Sequence, residues 1–213
     1  MNKFSVIVPA HNSAYFIRTG LYSIHDQAFE DYELIVVCDA CDDQTERVVR
    51  SIGADKIIVT DYGNDGMARN AGLDAAEGEW ILFMDDDDHW LHEYAFTMIA
   101  KEIDIHGGAD FLDILQFGFI FKGVGYAGPY MLEPQISRSS SGILWPNVWS
   151  KCWRRDFIGD CRFENVKMES DLRFSQEMLR PERGACVATF NHALYYYNYM
   201  RPGSQTWKEK YEG

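Results

Sequence analysis

Residues 80–88 read Trp-Ile-Leu-Phe-Met-Asp-Asp-Asp-Asp, an apolar run that ends in four consecutive carboxylates. The apolar part predicts a buried β-strand, and the strand would deliver its carboxylates to one edge of a sheet. Two earlier segments have the same form, because Phe4–Val8 leads into Pro9 and Leu34–Cys38 leads into Asp39. We expect Pro9 to stop the first of these strands. The sequence therefore predicts polar groups at the ends of three strands.

Helical patterns separate the predicted strands. We expect helices over residues 14–27, 43–52 and 67–76, a further strand over 56–60, and Asp42 or Asp43 as the N-cap of the second helix. Strands that alternate with helices in this way indicate an α/β fold with a single, mainly parallel, Rossmann-like sheet flanked by helices. In such sheets ligands bind outside the carboxyl ends of the strands.

The second half of the chain has a less regular pattern. We expect a helix over residues 92–105, a long strand over 111–121, and a loop over the stretch rich in Gly, Pro and Ser at 123–142. No segment has the composition of a linker. We therefore interpret 1–213 as one domain, with a regular first half over about 1–91 and a less regular C-terminal half over about 92–213.

Composition and charge exclude several classes of function. Of the 213 residues, 46% are hydrophobic and 25% are charged, which is typical of a globular protein. The net charge of −13 repels nucleic-acid backbones, and it would repel any anionic ligand that no cation or basic group neutralises. No apolar run reaches the ~20 residues of a membrane span, and the apolar run near the N-terminus is too short for a signal peptide. We expect a soluble protein without a transmembrane segment.

Cysteine usage predicts a reducing environment. Cys38 and Cys41 have CxxC spacing, but no second close pair of Cys or His residues completes a zinc site. We interpret the cysteines as structural or incidental and predict a cytoplasmic protein.

The four aspartates of the 80–88 segment have two interpretations. Carboxylates placed side by side resist ionisation unless a cation binds, and hard oxygen ligands suit Mg²⁺ or Mn²⁺ that also contacts substrate phosphates. The alternative is a solvated acidic loop that caps the next helix. The buried strand before the aspartates, and the two other polar strand ends, favour the metal.

Asp39 and Arg69 are candidate ligand contacts. Asp39 follows its strand directly, so its carboxylate would accept a hydrogen bond from a base or ribose; the alternative is turn formation with Ala40 and Asp42. Arg69 follows a glycine-rich turn near a helix N-terminus, where anions bind, and the alternative is a surface arginine.

Four segments in this order resemble the family 2 inverting glycosyltransferases of the GT-A fold. They are residues 5–12 (Ser-Val-Ile-Val-Pro-Ala-His-Asn), 33–39 (Glu-Leu-Ile-Val-Val-Cys-Asp), 66–72 (Gly-Met-Ala-Arg-Asn-Ala-Gly) and 78–88. Weaker similarity continues through 149–157, 163–174 and 194–204. The resemblance implies the GT-A fold, with a nucleotide-sugar and metal-binding half over about 1–91 and an acceptor-binding half over about 92–213.

The resemblance also implies a set of donor contacts. Asp85 would approach the ribose and the metal, Asp87 would bind the divalent metal directly, and Asp86 stands where the family more often has a small residue. His192 is a weaker metal candidate, with a structural role as the alternative. The implied nucleotide-binding residues are Pro9 and Ala10 (backbone, facing the base), Asn12, Asp39 (pairing with the base), Arg69, Asp85, Asp86, Arg201 and Ser204 (both closing over the diphosphate).

One donor motif departs from the family pattern. The usual string D-D-G-S-x-D reads Cys-Asp-Ala-Cys-Asp-Asp at residues 38–43, so Cys38 replaces an acid and Ala40 replaces a glycine. Asp39 remains at the position that the resemblance assigns to the base.

The resemblance places the catalytic base near residue 170. The family pattern E-D-x-x-F matches Ser170–Phe174, which makes Asp171 the base that takes a proton from the acceptor hydroxyl. Ser170 departs from the pattern, and Glu169 lies one residue out of register as an alternative base. A second role for Asp171 is to cap a helix that runs to Leu179.

The predicted function is inverting transfer of a hexosyl-type sugar from a nucleotide-sugar, which we expect to be UDP-linked, to an acceptor hydroxyl. The acceptor would be a carbohydrate, a lipid-linked molecule or a protein, and Mn²⁺ or Mg²⁺ would assist the transfer. One alternative is a metal-dependent nucleotidyltransferase that uses Asp85 and Asp87, although the sequence has no glycine-rich triphosphate loop near its start. The other is a non-catalytic nucleotide- or sugar-binding module. Aromatic residues of the second half would stack on sugars or, for most of them, pack in the core: Trp145, Trp149, Trp153 and Tyr195–Tyr197.

Overall fold

The computed structural model describes residues 3–123, 126–137 and 147–198, which form one mixed sheet with helices on both faces. The strands are β1 (Phe4–Ala10), β2 (Tyr32–Asp39), β3 (Lys56–Thr60), β4 (Trp80–Phe83), β5 (His89–Trp90), β6 (Ile114–Gly123), β7 (Tyr126–Tyr130), β8 (Gln135–Ser137), β9 (Lys151–Arg154) and β10 (Val187–Tyr197). The helices are α1 (Ile17–His25), α2 (Thr45–Ile52), α3 (Asp65–Ala75), α4 (Ala95–Ile105), α5 (Arg155–Ile158) and α6 (Ser170–Met178).

The sheet has a parallel part and a mixed part. Its main path runs β3-β2-β1-β4-β9-β6-β10-β5, with β7 added to β6 and β8 added to β10. The strands β3, β2, β1 and β4 pair in parallel, as the alternation with helices predicts. From β4 onward antiparallel pairs appear, among them β4–β9 and β6–β7, and the close succession of β6 and β7 allows antiparallel pairing without a crossover helix.

Alternate residues of the central strands enter two separate cores. In β1, Val6 and Val8 join the cluster that includes α1 and α4, whereas Ile7 joins the cluster that includes α3 and α6. Gly72 of α3 allows this second face to pack closely, since a Cβ there would lie 2.4 Å from Ile7 Cγ2. Burial on both faces explains why these strands carry apolar residues on both faces rather than alternating with polar ones.

The strand β1 continues through Pro9, so the expectation that Pro9 ends it was wrong. The Met84 amide donates to the Ile7 carbonyl at 3.0 Å, and pairing with β4 ends at Ile7. In a strand, the backbone groups of every second residue face the same neighbour, so the Pro9 nitrogen faces β4 as the Ile7 carbonyl does. Pro9 lies beyond Ile7, the last residue of β1 that pairs with β4. The missing N–H therefore removes no ladder hydrogen bond.

Helix starts differ from the prediction for local reasons. The second helix begins at Thr45 rather than Asp43, because the Asp43 carboxylate accepts hydrogen bonds from both the amide and the hydroxyl of Thr45. Gln44 occupies its N-cap position. The helix α3 begins two residues earlier than predicted, since the Asn64 side chain caps it by accepting from the Met67 amide at 3.0 Å.

The stretch over 123–142 is not simply a loop. It contains β7 and β8, which pair antiparallel with β6 and β10. Two of the residues that suggested a loop, Gly128 and Pro129, lie in β7, where Pro129 pairs with Ile120 of β6, and residues 138–142 lie outside the described residues. No helix in the described ranges is long and apolar enough to cross a membrane.

Candidate active site

The carboxyl ends of β1, β2 and β4 lie side by side, as the sequence predicts for three neighbouring strand ends. The acidic loop, defined here as residues 85–88, follows β4 directly. The His11 amide donates to Asp86 Oδ2 at 3.0 Å, and His11 Nδ1 lies 2.8 Å from the Asp39 carbonyl oxygen. Asp86 therefore joins the end of β4 to the end of β1.

Asn12 joins two of the loops at this edge. Its backbone has a φ of 48°, in the left-handed region where Asn is one of the better tolerated residues. Its Oδ1 accepts hydrogen bonds from the amides of Asp42 and Asp43 at 2.9 and 3.3 Å. Pro9 and Ala10 are buried in β1 beside this junction, and the Ala10 carbonyl accepts from the Cys41 thiol at 3.3 Å.

The Asp39 carboxylate is almost fully buried and accepts three hydrogen bonds. Its donors are the Thr60 hydroxyl at 2.9 Å and the amides of Tyr62 and Asn64 at 2.7 and 2.9 Å. Thr60 ends β3, and Tyr62 and Asn64 lie between β3 and α3, so the Asp39 side chain holds the segment that leads into α3 rather than its own turn. The alternative role, turn formation with Ala40 and Asp42, is not the one that the Asp39 carboxylate has here. Ala40 nevertheless has a φ of 47°, which explains why the related motif has glycine at this position.

Arg69 lies at the centre of the site, beneath the surface. Its guanidinium pairs with carboxylates from three elements: Asp65 at 2.6 Å, Asp85 at 2.7 Å and Asp171 at 3.2 Å. The side chain is only 4% exposed, so the surface-arginine alternative was wrong. The three negative charges raise the pKa of Arg69 well above its usual value despite its burial.

The aspartates of the acidic loop differ in environment. Asp88 is buried and accepts hydrogen bonds from the Tyr195 hydroxyl and the Asn198 amide, each at 2.8 Å. Burial, together with the nearby charges of Asp87 and Asp85, raises the pKa of Asp88 well above its usual value. Asp85, Asp86 and Asp87 are partly exposed.

The donor set at the acidic loop fits a hard divalent cation. Asp85 and Asp87 offer carboxylate oxygens at a partly exposed strand end, and Mg²⁺ commonly binds one or two carboxylates while substrate phosphates and water complete its shell. Across the described residues, no group of three or more His, Cys, Asp or Glu side chains is arranged to hold a metal. A cation at this position would therefore complete its shell with oxygen atoms from water or a ligand.

Asp171 lies at the second residue of α6, facing Arg69. Its Oδ2 accepts a long hydrogen bond of 3.3 Å from the Val148 amide, and its Oδ1 is buried without a hydrogen bond within the described chain. Burial raises the pKa of Asp171 to about 6, and the positive charge of Arg69 opposes that rise. Asp171 is not the helix N-cap, so the capping interpretation was wrong.

Glu169 occupies the N-cap position of α6 without capping through its side chain. Its φ is 66° and its side chain is exposed. The two carboxylates therefore have different surroundings, with Asp171 beside Arg69 and Glu169 in solvent.

Lys151 is a buried cation near Asp171 that the sequence analysis did not select. It is 0% exposed, and its ammonium donates to the carbonyl oxygen of Asn147 and, at 3.3 Å, to Asn147 Oδ1. Burial lowers the pKa of Lys151 to about 7, and the charge of Asp171 opposes that fall. Lys151 thus holds the peptide that precedes Val148, the residue whose amide contacts Asp171.

The remaining candidates are an exposed histidine, aromatic residues of the second half, and residues outside the described ranges. His192 is exposed on β10, and its ring lies 5.6 Å from that of Phe190. Trp149, Trp153 and Tyr195 are buried in the core, as expected for most of the aromatic residues. Outside the described residues lie Trp145, Arg201 and Ser204.

Sequence reasoning missed three contributors to the site. Asp65 had a readable signal, because it precedes Arg69 by four residues on one helix. Lys151 and Tyr195 had none, since burial and a hydrogen bond across more than a hundred residues leave no local pattern.

Comparison with known proteins gives a family and a set of relatives. The model of Glycosyl transferase family 2 matches residues 5–123. The chain is 31% identical to poly(ribitol-phosphate) beta-N-acetylglucosaminyltransferase TarS of Staphylococcus aureus over 95% of its own length and 36% of that protein. It is 27% identical to glycosyltransferase GlyA of Streptococcus pneumoniae over 99% of its own length and 32% of that protein. The chain thus spans about a third of the length of these relatives.

Solved structures show the same architecture. Residues 1–349 of S. aureus TarS in complex with UDP-GlcNAc superpose with a TM-score of 0.81 at 28% identity, covering 96% of this chain and 60% of that one. The mannosyltransferase PcManGT of Pyrobaculum calidifontis superposes with a TM-score of 0.73 at 17% identity, covering 97% and 59%. These similarities confirm the predicted GT-A fold. Since the family model also covers more than half of the sequence, the chain belongs to glycosyl transferase family 2.

Proposed function

We propose that this chain carries the catalytic unit of an inverting glycosyltransferase, which moves a sugar from a UDP-sugar to an acceptor hydroxyl on a glycoconjugate. The observation that carries this proposal is the shared guanidinium of Arg69. It binds Asp85, from the acidic loop, and Asp171, from the start of α6, at 2.7 and 3.2 Å. The predicted donor-binding group and the predicted base therefore lie within one ion-pair cluster.

Asp171 fits the role of the base. A pKa of about 6 leaves the carboxylate mostly ionised at neutral pH while keeping it basic enough to accept a proton. Its Oδ2 makes only one long hydrogen bond within the described chain, so it retains capacity to accept from a hydroxyl. The acceptor oxygen would attack the anomeric carbon as its proton passes to Asp171, while the bond to UDP breaks on the opposite face and UDP takes the electron pair.

The acidic loop fits the donor diphosphate only with a cation. A Mn²⁺ or Mg²⁺ ion held by Asp85 and Asp87 would offset the negative charge of the diphosphate as it leaves. Asp86 holds the loop to β1 through the His11 amide, so the loop is oriented before the donor binds. The net charge of −13 gives a second reason to expect metal-dependent binding of UDP.

The relatives guide the choice of donor for a first experiment. A solved TarS structure contains UDP-GlcNAc, and that protein shares 28% identity with this chain. We therefore select UDP-GlcNAc as the first donor. All five cysteines are free thiols, which agrees with the proposed cytoplasmic setting.

Donor hydrolysis tests the proposed base without a known acceptor, since water replaces the hydroxyl. We expect Asp171→Asn to fold, to bind UDP as the wild type does and to hydrolyse UDP-GlcNAc roughly 100-fold more slowly or worse. Glu169→Gln is the matched control and should remain within a few-fold of the wild type. If the control is the slower variant, Glu169 is the base.

Calorimetric titration with UDP tests the metal and separates the alternatives. UDP should bind much more weakly in EDTA than in Mn²⁺, and Asp87→Ala should abolish that difference. Equal affinity in both conditions would contradict the metal role. Metal-dependent binding with no hydrolysis or transfer would favour a binding module, and turnover of a nucleoside triphosphate would favour a nucleotidyltransferase.

A further inference from the structure

The Tyr195 hydroxyl contacts both ends of the acidic loop. It accepts a hydrogen bond from the Asp85 amide at 3.1 Å and donates one to Asp88 Oδ2 at 2.8 Å. The other oxygen of Asp88 accepts from the Asn198 amide at 2.8 Å. Tyr195 and Asp88 are 0% and 1% exposed, so these hydrogen bonds form away from solvent and compete little with water.

The ring of Tyr195 is fixed by its neighbours, and so the direction of its hydroxyl is fixed as well. The ring stacks on Trp149 at a centroid distance of 4.9 Å and meets Trp90 edge-on at 5.4 Å. Backbone pairing of Tyr195 with Trp90 joins β10 to β5, the strand that begins just after the acidic loop. An exposed tyrosine would have several rotamers, whereas this one has little freedom.

The acidic loop also packs against α1. Gly20 of α1 lies so close that a Cβ there would be 2.7 Å from the Asp88 carbonyl oxygen. The loop therefore contacts both α1 and Tyr195. With its first backbone amide and its last side chain both bound to one hydroxyl, its two middle residues have a fixed position relative to β4.

We propose that Tyr195 is a positioning residue that sets the affinity of the acidic loop for the metal and the UDP-sugar without touching either. The inference rests on the proposed function, because it assumes that the acidic loop binds the donor. Asp88 is the intermediary: both of its oxygens accept hydrogen bonds from the protein, so it orients the loop, while Asp85 and Asp87 serve as ligands.

The test compares Tyr195→Phe with Tyr196→Phe. Both substitutions remove one hydroxyl from β10, but the Tyr196 side chain contacts the site only indirectly, through its ring stacked on His89 at 4.5 Å. We expect Tyr195→Phe to weaken UDP binding in Mn²⁺ roughly tenfold, in line with the usual value of a buried hydrogen bond, and to change binding in EDTA less than twofold. The control should match the wild type in both conditions.

The kinetics of UDP-GlcNAc hydrolysis distinguish a loss of donor binding from a loss of protein stability, because lower stability alone would not change KM for the donor. For Tyr195→Phe, KM for the donor should rise about tenfold while kcat changes less than twofold, in line with a hydrogen bond lost from donor binding alone. A lower melting temperature combined with unchanged KM and unchanged UDP affinity would overturn the proposal and leave Tyr195 a purely structural residue.

A second variant and the behaviour of the wild type ensure that every outcome supports or contradicts the proposal. If Tyr195→Phe does not fold, Asp88→Asn tests the same link, because it keeps the size of the side chain and one acceptor oxygen; wild-type affinity for UDP in Mn²⁺ would then overturn the proposal. If the wild type binds no UDP, the proposed function fails and this inference fails with it. If the wild type binds UDP with Mn²⁺ and the variant binds it equally well, only the inference about Tyr195 fails.

Discussion

Two regions hold their carboxylates in different ways. One is the sheet edge at the carboxyl ends of β1, β2 and β4, called the donor edge here after its proposed ligand, and the other is the start of α6. At the donor edge, Asp39 accepts three hydrogen bonds of 2.7–2.9 Å and Asp88 accepts two of 2.8 Å. At the start of α6, Asp171 accepts one of 3.3 Å, and its second oxygen has none within the described chain. Fully bonded carboxylates fix the loops around them, whereas the Asp171 carboxylate keeps capacity to accept a further hydrogen bond. The comparison agrees with the proposed roles, in which Asp39 and Asp88 orient the loops and Asp171 accepts a proton.

Removing the guanidinium that joins the two regions should have the largest effect. Arg69→Met leaves three carboxylates without their shared cation, and breaking a buried ion pair costs about 3–5 kcal/mol of the free energy of unfolding. Urea denaturation measures this change. The control is Arg173→Met on α6, whose side chain is 47% exposed and pairs with Glu164 in solvent, so it should cost less than about 1 kcal/mol. Equal losses for the two variants would contradict a central role for Arg69.

The fixed character of the donor edge is tested by Asp39→Ala. Two backbone amides and one hydroxyl lose their acceptor, and we expect a loss of about 3 kcal/mol in the free energy of unfolding. Asp61→Ala provides the comparison, because Asp61 is exposed and should tolerate the change within about 0.5 kcal/mol. If Asp39→Ala is as stable as Asp61→Ala but has lost UDP affinity, Asp39 acts on the ligand rather than on the fold.

The basic character of Asp171 predicts a pH profile. Only the ionised carboxylate accepts a proton, so hydrolysis of UDP-GlcNAc at saturating donor should fall as the pH drops through about 6. At pH 5 the rate should be roughly one tenth of its plateau, since about a tenth of the groups remain ionised one unit below the pKa. The residual rate of Asp171→Asn should not show this dependence. A wild-type rate that stays level down to pH 5 would contradict the assignment of the base.

The smallest expected effect concerns the backbone of the donor edge. Ala40 has a φ of 47°, so Ala40→Gly should raise the free energy of unfolding by about 0.5–1 kcal/mol. Ala71→Gly, inside α3, should lower it by about 1 kcal/mol. The two identical substitutions are thus expected to have opposite signs, and thermal or urea unfolding measures both. A destabilised Ala40→Gly variant would show that the left-handed conformation costs little here.

The sequence predicted the parallel part of the sheet better than the mixed part. The strands β1, β2 and β4 contain apolar runs whose burial on two faces leaves a clear pattern, and the order of β1 to β4 places Asp39 and the acidic loop at one edge. The strand β7 was missed because Gly128 and Pro129 are typical of loops, although an added antiparallel strand tolerates them. The burial of Arg69 was missed because two of its three partners, Asp85 and Asp171, come from elsewhere in the chain, and only the fold determines that they converge.

The hydrogen bond between Tyr195 and Asp88 has a consequence for synthesis on the ribosome. The two residues are separated by 107 positions, and β5, just after the acidic loop, pairs with β10. At ~5–20 residues per second, the loop leaves the ribosome roughly 5–20 s before the strand that holds it. The sheet from β1 to β4 can form during that interval, whereas the acidic loop acquires its final geometry only after β10 emerges. Nascent chains that stop before β10 would carry a folded donor edge whose acidic loop lacks its hydrogen bonds to Tyr195.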